Sequence, residues 1–291
     1  MSLPTVAVLG LGNMGYAFAR NLLKNHFRVH AWNREKARGE PLLADGVNLH
    51  DTPGEAVESA DVILSVLADA KATLGIISET APVCKKGAVF CQMGTIGIDE
   101  TSEAARLLHS LNPSLCYIDA PVSGSKAPAE NGEILVLASG DKNKSGGAEI
   151  VFNAVSRKTL WLGELGKSQK MKLILNSWLI IMMEGIAEST LLASKLGFTP
   201  TEFWQALDGG PLAAPYIKSK LEMIAENDYT AQMKLSLALK DANLALDAAE
   251  EVELPVLTRI ADYWSRAVRE GYADYDLAAV YAWLADKRPD V

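Results

Sequence analysis

An α/β chain, with a doubly wound sheet in its first half and an all-helical second half, is the fold class this sequence predicts. Three observations carry the expectation. Short, fully apolar, β-branched runs alternate with helix-length segments up to about residue 163; a glycine-rich turn follows the first run; after residue 163 the strand signals cease and Ala, Leu, Met, Lys and Glu dominate with helical periodicity. The chain has 291 residues, 49% of them hydrophobic and 22% charged, which suffices for about two buried cores. The expected domains are 1–163 and 164–291, joined by a long helix.

The predicted strands are 5–9, 28–32, 62–67, 88–93, 115–118 and 134–139. Runs without polar alternation belong in a parallel sheet covered by helices on both faces. In the second half the predicted helices are 167–196, 200–207, 215–226, 232–252, 255–270 and 276–285. Gly197 closes the first, Pro200 and Pro255 open two others, and Asp276 can cap the last. The first would be roughly 45 Å long at 1.5 Å per residue. Long apolar helices in this half predict a homodimer or homotetramer built through it.

Composition excludes several classes of function. With 28 Lys+Arg against 36 Asp+Glu the net charge is −8, and no basic run offers a footprint for nucleic acid. Cys84, Cys91 and Cys116 have no CxxC spacing, so neither a disulfide framework nor a metal site is expected, and a reducing cytoplasm fits. The opening residues carry no basic leader. The most apolar stretch, 173–183, spans 11 residues and includes Asn176 and Ser177, too short to cross a membrane.

Gly10, Leu11, Gly12, Asn13, Met14 and Gly15 form a GxGxxG turn between the first strand and an amphipathic stretch. In that position no glycine is idle: Gly10 makes the tight turn, Gly12 lets backbone approach a pyrophosphate, and Gly15 lets helix and strand pack. Helix N–H groups and the helix dipole then supply locally the positive potential that the chain lacks as a whole. The second strand ends in Trp32-Asn33-Arg34-Glu35, with no carboxylate at its tip for a ribose 2′-hydroxyl. Arg34 suits a 2′-phosphate, so NADP(H) is the expected cofactor, with Glu35 directed away. Asn33, and Leu67 and Ala68 at the end of the third strand, complete the expected cofactor contacts.

A dinucleotide domain implies hydride transfer, which needs a proton donor at the reacting oxygen. His26, His30, His50 and His109 have no surroundings that suggest the role. Lys172 and Asn176 do. They stand four residues apart on one face of an otherwise apolar helix, where polar groups without partners would be costly, and a pocket explains both. Lys167 and Lys170 should face solvent. Asp119-Ala120-Pro121-Val122-Ser123-Gly124-Ser125 follows a strand and reads as a turn able to hold a small carboxylate. Gln92-Met93-Gly94-Thr95 ends another strand, in the crevice where such sheets bind ligands.

Together GLGNMG, DAPVSGS, GELGKSQKMKLILN and the Lys240-Asp241 pair resemble the β-hydroxyacid dehydrogenase family along essentially the whole chain. The resemblance implies a Rossmann domain, a helical second domain, a catalytic lysine at Lys172, and substrate contacts at Ser123, Gly124, Ser125 and Asn176. It also implies Thr95 beside the nicotinamide and Lys240 closing the site. WNR, APVSGSKAPAENG and LDGG are most similar to the glyoxylate and succinic semialdehyde reductases, which reduce short aldehydes bearing a carboxylate with NADPH. Ser168 stands where such proteins usually have glycine, and Gly94 where they have a small hydroxyl residue. Imine reductases carry similar WNR signatures but usually replace the lysine, so Lys172 favours carbonyl over imine reduction; a non-catalytic NADP-binding scaffold is the remaining alternative.

Overall fold

The computed structural model describes residues 2–286. The chain forms two compact units that meet in sequence between Lys172 and Leu173. In the first unit the strands β1 (Val6–Leu9), β2 (Val29–Trp32), β3 (Asn48–Leu49), β4 (Val62–Ser65), β5 (Val89–Gln92) and β6 (Cys116–Asp119) form a parallel six-stranded sheet in the order β3-β2-β1-β4-β5-β6. That order reverses between β1 and β4, the switch point at which doubly wound sheets bind their ligands. Helices α1 (Asn13–Lys24), α2 (Pro53–Val57), α3 (Ala70–Thr80) and α4 (Ile98–Leu111) are the crossovers.

Side chains along one strand bury to opposite faces. Val6 and Val8 join one apolar cluster with Phe18, Leu22 and Phe152, while Ala7 and Leu9 join another with Ile63, Ile77 and Phe90. Both faces are therefore dry, as uninterrupted apolar runs require.

A second sheet was not legible in the sequence. It comprises β7 (Val122–Ser123), β8 (Ile134–Ala138) and β9 (Ser156–Trp161), with α5 (Lys126–Glu130) and α6 (Ala148–Val155) between them. β8 pairs antiparallel to β7 and parallel to β9. The run 134–139, expected in the main sheet, is thus the centre of this smaller one. Ser156-Arg-Lys-Thr-Leu-Trp161 gives no strand signal because an edge strand with charged, exposed Arg157 and Lys158 lacks the apolar signature.

Helix α7 (Lys167–Lys195) begins in the first unit and continues into the second. Gly197 follows it at φ +90°, as its closing role predicts. The second unit adds α8 (Pro200–Leu207), α9 (Pro215–Glu226), α10 (Leu235–Ala249), α11 (Pro255–Ala267) and α12 (Val280–Leu284). Three expected helices come out shorter. Residues 268–272 leave α11 through a wider turn in which Gly271 has φ +99°, and 232–234 are held outside α10 because Gln232 and Met233 donate their N–H groups to Asp276. Residues 277–279 make a tighter turn ahead of α12, and Asp276 caps it at Ala278 N (3.0 Å) while its Oδ1 also takes the buried Lys220 ammonium at 2.6 Å. No helix among the described residues is long and apolar enough to cross a membrane.

Candidate active site

The glycine turn connects β1 to α1 as the motif demands. Gly10 has φ +97°, and a Cβ there would lie 2.4 Å from the Val66 carbonyl oxygen. A Cβ on Gly15 would lie 1.9 Å from the Gly10 oxygen, so helix and turn touch backbone to backbone. At Gly12 a Cβ would meet nothing within 4 Å. The first turn of α1 also carries no acidic residue and no side-chain cap. An open cradle at the positive end of a helix fits the pyrophosphate of a dinucleotide.

The loop after β2 is pinned to this turn by Asn33. Its Oδ1 accepts from Leu11 N (2.8 Å) and its Nδ2 donates to the Glu35 oxygen (2.9 Å). Arg34 is exposed between these anchors. Glu35 is engaged by Arg38 (3.0 Å), and Lys36 pairs with Asp51, whose backbone oxygen takes the Trp32 indole N–H at 3.2 Å. Leu67 and Ala68 follow β4 at the switch point, Leu67 half-buried and Ala68 exposed; Asn13 is exposed and Met14 half-buried at the start of α1.

At the other end of the sheet the polar groups are buried. Asp119, the last residue of β6, is fully buried, as are Gln92, Ser139, Ser168 and Gln169. Ser168 Oγ donates to Asp119 Oδ2, Gln169 N donates to the same oxygen at 3.2 Å, and Gln169 Nε2 donates to Oδ1 at 3.0 Å. Gln169 Nε2 also reaches the Gly94 oxygen (2.9 Å), and its Oε1 accepts from Ile96 N (3.4 Å). Burial pushes the Asp119 carboxyl up to about 6, against the pull of these donors. Sequence reasoning missed Asp119 and Gln169 as site residues, although a carboxylate ending an apolar strand was a usable signal.

Lys172 lies half-buried one helical turn beyond Ser168, and Lys167 and Lys170 are exposed as expected. Thr95 is half-buried after Gly94, where a Cβ would stand 2.4 Å from the Leu67 oxygen; backbone contact leaves no room for a hydroxyl residue at 94. The 119–125 segment is more than the expected turn: Val122 and Ser123 form β7, and only then does Gly124 adopt φ +147°, with a Cβ there 2.7 Å from Ile134. Ser123 and Ser125 are half-buried and Gly124 is exposed.

The second unit assembles its own polar cluster. Asn176, on the Lys172 face of α7, is 2% exposed and donates to Asp241 Oδ2 at 2.5 Å, and Lys240 Nζ lies 2.9 Å from Asp241 Oδ1. In the first unit His30 and His50, which have no expected catalytic role, stack with centroids 5.0 Å apart, and burial lowers the His30 pKa.

Comparison with known proteins decides the lineage. Residues 5–163 match the NAD binding domain of 6-phosphogluconate dehydrogenase, and residues 166–284 match the NAD-binding domain of NADP-dependent 3-hydroxyisobutyrate dehydrogenase. Glyoxylate/succinic semialdehyde reductase 1 of Arabidopsis thaliana is 31% identical over 282 residues, covering 94% of this chain and 96% of that protein. The chain belongs to the β-hydroxyacid dehydrogenase family. Its chloroplastic Arabidopsis relative, glyoxylate/succinic semialdehyde reductase 2, is 30% identical over 284 residues, covering 95% of this chain and 78% of that one. Mycobacterium tuberculosis 3-hydroxyisobutyrate dehydrogenase, solved with L-serine, superposes with TM-score 0.84 at 25% identity, covering 97% of this chain and 99% of that chain. This β-hydroxyacid dehydrogenase is accordingly an NAD(P)-dependent oxidoreductase with a Rossmann domain and a helical region.

Proposed function

We propose that the protein is an NADPH-dependent reductase of small aldehydes bearing a carboxylate, of the glyoxylate or succinic semialdehyde type, with Lys172 as general acid. The observation that carries the reading is the setting of Lys172: half-buried, one turn beyond two residues hydrogen-bonded to the carboxyl ends of the strands. Gly10 to Gly15 would hold the pyrophosphate, Asn33 would steady the adenosine loop, and Arg34 would take the 2′-phosphate. Leu67, Ala68 and Thr95 would line the path toward the nicotinamide, and Lys240 is a further candidate for the cofactor. NADPH supplies the hydride when bound. The Lys172 ammonium donates the proton that the reacting oxygen requires, while Ser123, Gly124 and Ser125 hold the substrate carboxylate through hydroxyls and backbone N–H groups. Asn176, oriented by Asp241, fixes the substrate oxygen. The retained lysine favours this chemistry over imine reduction. A cytoplasmic homodimer or homotetramer is the state in which we expect it to work.

Removing such an acid should lower kcat about 10²–10⁴-fold. Lys172→Ala, assayed with NADPH against glyoxylate, succinic semialdehyde and cyclic imines, should lose aldehyde turnover by that factor. A variant that keeps most of its turnover refutes the lysine assignment. A wild-type enzyme that turns over imines but not aldehyde acids refutes the substrate class.

A further inference from the structure

We infer that Asp119 is a positioning residue for the reaction: through Ser168 and Gln169 it mounts the Lys172-bearing turn of α7 on the ends of β5, β6 and β8. This rests on the reading of Lys172 as proton donor.

The mount is built from both backbone and side chain. Asp119 N donates to the Ser139 oxygen (3.0 Å) and Ser139 N to the Asp119 oxygen (2.8 Å), a bridge that joins the six-stranded sheet to the three-stranded one. Ser139 Oγ accepts from Ser168 N (3.2 Å) and bonds Ser168 Oγ (2.5 Å), which hands its own proton to Asp119 Oδ2. Gln169 N–H, an otherwise unused donor of the first helical turn, also ends on Asp119. The carboxylate is thus a cap supplied from another strand, and its charge complements the positive end of the helix. Ser168 and Gln169 precede Lys172 by four and three residues, so they share its face. A glycine at 168 would leave this oxygen one donor short.

Protonation removes the charge that faces the helix terminus, although the fold itself gains stability from the neutral acid. Oδ2 already accepts from Ser168 Oγ and Gln169 N, so a proton added there displaces one of them or turns the Ser168 hydroxyl toward Ser139 Oγ, while Oδ1 faces Gln169 Nε2. The Tyr117 phenol on β6 itself and the Cys91 thiol on β5 are titratable groups close by, and both are raised by burial, so they stay neutral through the working pH range. Lys172 is the cation on the helix face itself. Turnover should therefore fall as pH drops through about 6, where Asp119 titrates.

The test uses the full-length enzyme. Asp119→Asn should lower kcat about 10- to 100-fold at pH 7.5, leave the KM for NADPH within about twofold, and abolish the acid-side inflection near pH 6. Ser168→Ala, the milder variant, keeps the carboxylate but removes a donor, and should move that inflection upward. Hydrogen exchange of the 168–173 amides in the cofactor-free protein should speed up in both variants relative to the wild type at the same pH, without any assay of turnover. An inflection that stays in place in both variants, or amides that exchange at wild-type rates, overturns the mount. If Lys172→Ala retains turnover while exchange responds as described, the lysine reading fails and the mount stands; if Lys172→Ala loses turnover while the inflection stays unmoved, the lysine reading stands and the mount fails.

Discussion

The two ends of the first unit's binding crevice are built on opposite plans. At the adenosine end the charged groups are exposed: Arg38 with Glu35, Lys36 with Asp51, and Arg34 between them, over a single buried-side anchor at Asn33. At the far end Asp119, Ser139, Ser168 and Gln169 are wholly excluded from water and satisfied by one another. Exposed ion pairs contribute about 0–1 kcal/mol, whereas stranding one member of a buried network costs roughly 1–3 kcal/mol per group. On the proposed reading, cofactor choice would sit on a cheaply edited rim, and the chemistry on a floor that tolerates little change.

Graded substitutions can break or sharpen that contrast. Gly15→Ala lies between the two ends and should have the largest effect, since its methyl would sit 1.9 Å from the Gly10 oxygen. We expect about 4 kcal/mol or more of lost stability, read by denaturant melts, with NADPH binding abolished. A stable, cofactor-binding Gly15→Ala protein would mean that the turn can open.

Next comes the pH dependence of stability. Asp119 titrates at about 6 in the folded protein, above the ordinary carboxylate value of 3.8. The folded state therefore holds a proton that the unfolded state releases. The stabilisation is fully present below about pH 4 and lost as pH rises through about 6, to a total of roughly 3 kcal/mol. Asp119→Asn should erase that slope in melts across pH 4–7; an unchanged slope would assign it to other groups.

Asn33→Ala should cost roughly 1–3 kcal/mol by stranding Leu11 N, and raise the KM for NADPH about tenfold. Arg34→Ala should raise the KM for NADPH far more than that for NADH while leaving the melting temperature unchanged; equal effects on both cofactors would remove Arg34 from the 2′-phosphate role. Lys36→Ala should change stability by less than about 1 kcal/mol despite its ion pair, and a larger loss would show that the rim is more rigid than its exposure implies.

The same contrast explains which features are legible in the amino-acid order. β1, β4 and β5 announce themselves because strands dry on both faces must be apolar throughout, and GxGxxG is legible because steric demands at Gly10 and Gly15 admit no side chain. Pro200–Leu207 and Pro215–Glu226 match their predicted bounds because proline marks their starts. β9 is hidden because Arg157 and Lys158 face water, and β7 because two residues cannot display a period. Lys172 and Asn176 stand out as polar residues in an apolar helix. Asp119 ends an apolar strand, which is a signal, but its pairing with Gln169 is hidden, since these partners lie 50 residues apart in sequence and only the fold unites them.

In the helical unit, Asp276 receives Lys220, the backbone at 232 and 233, and the N–H of Ala278 on one carboxylate. Stretches of chain far apart in sequence are thereby knotted at a point that water does not reach. Such a knot resists fraying piece by piece: α9, the approach to α10 and the turn before α12 should open together or not at all. A protease probing this unit would then meet a single cooperative barrier rather than a succession of loosened ends.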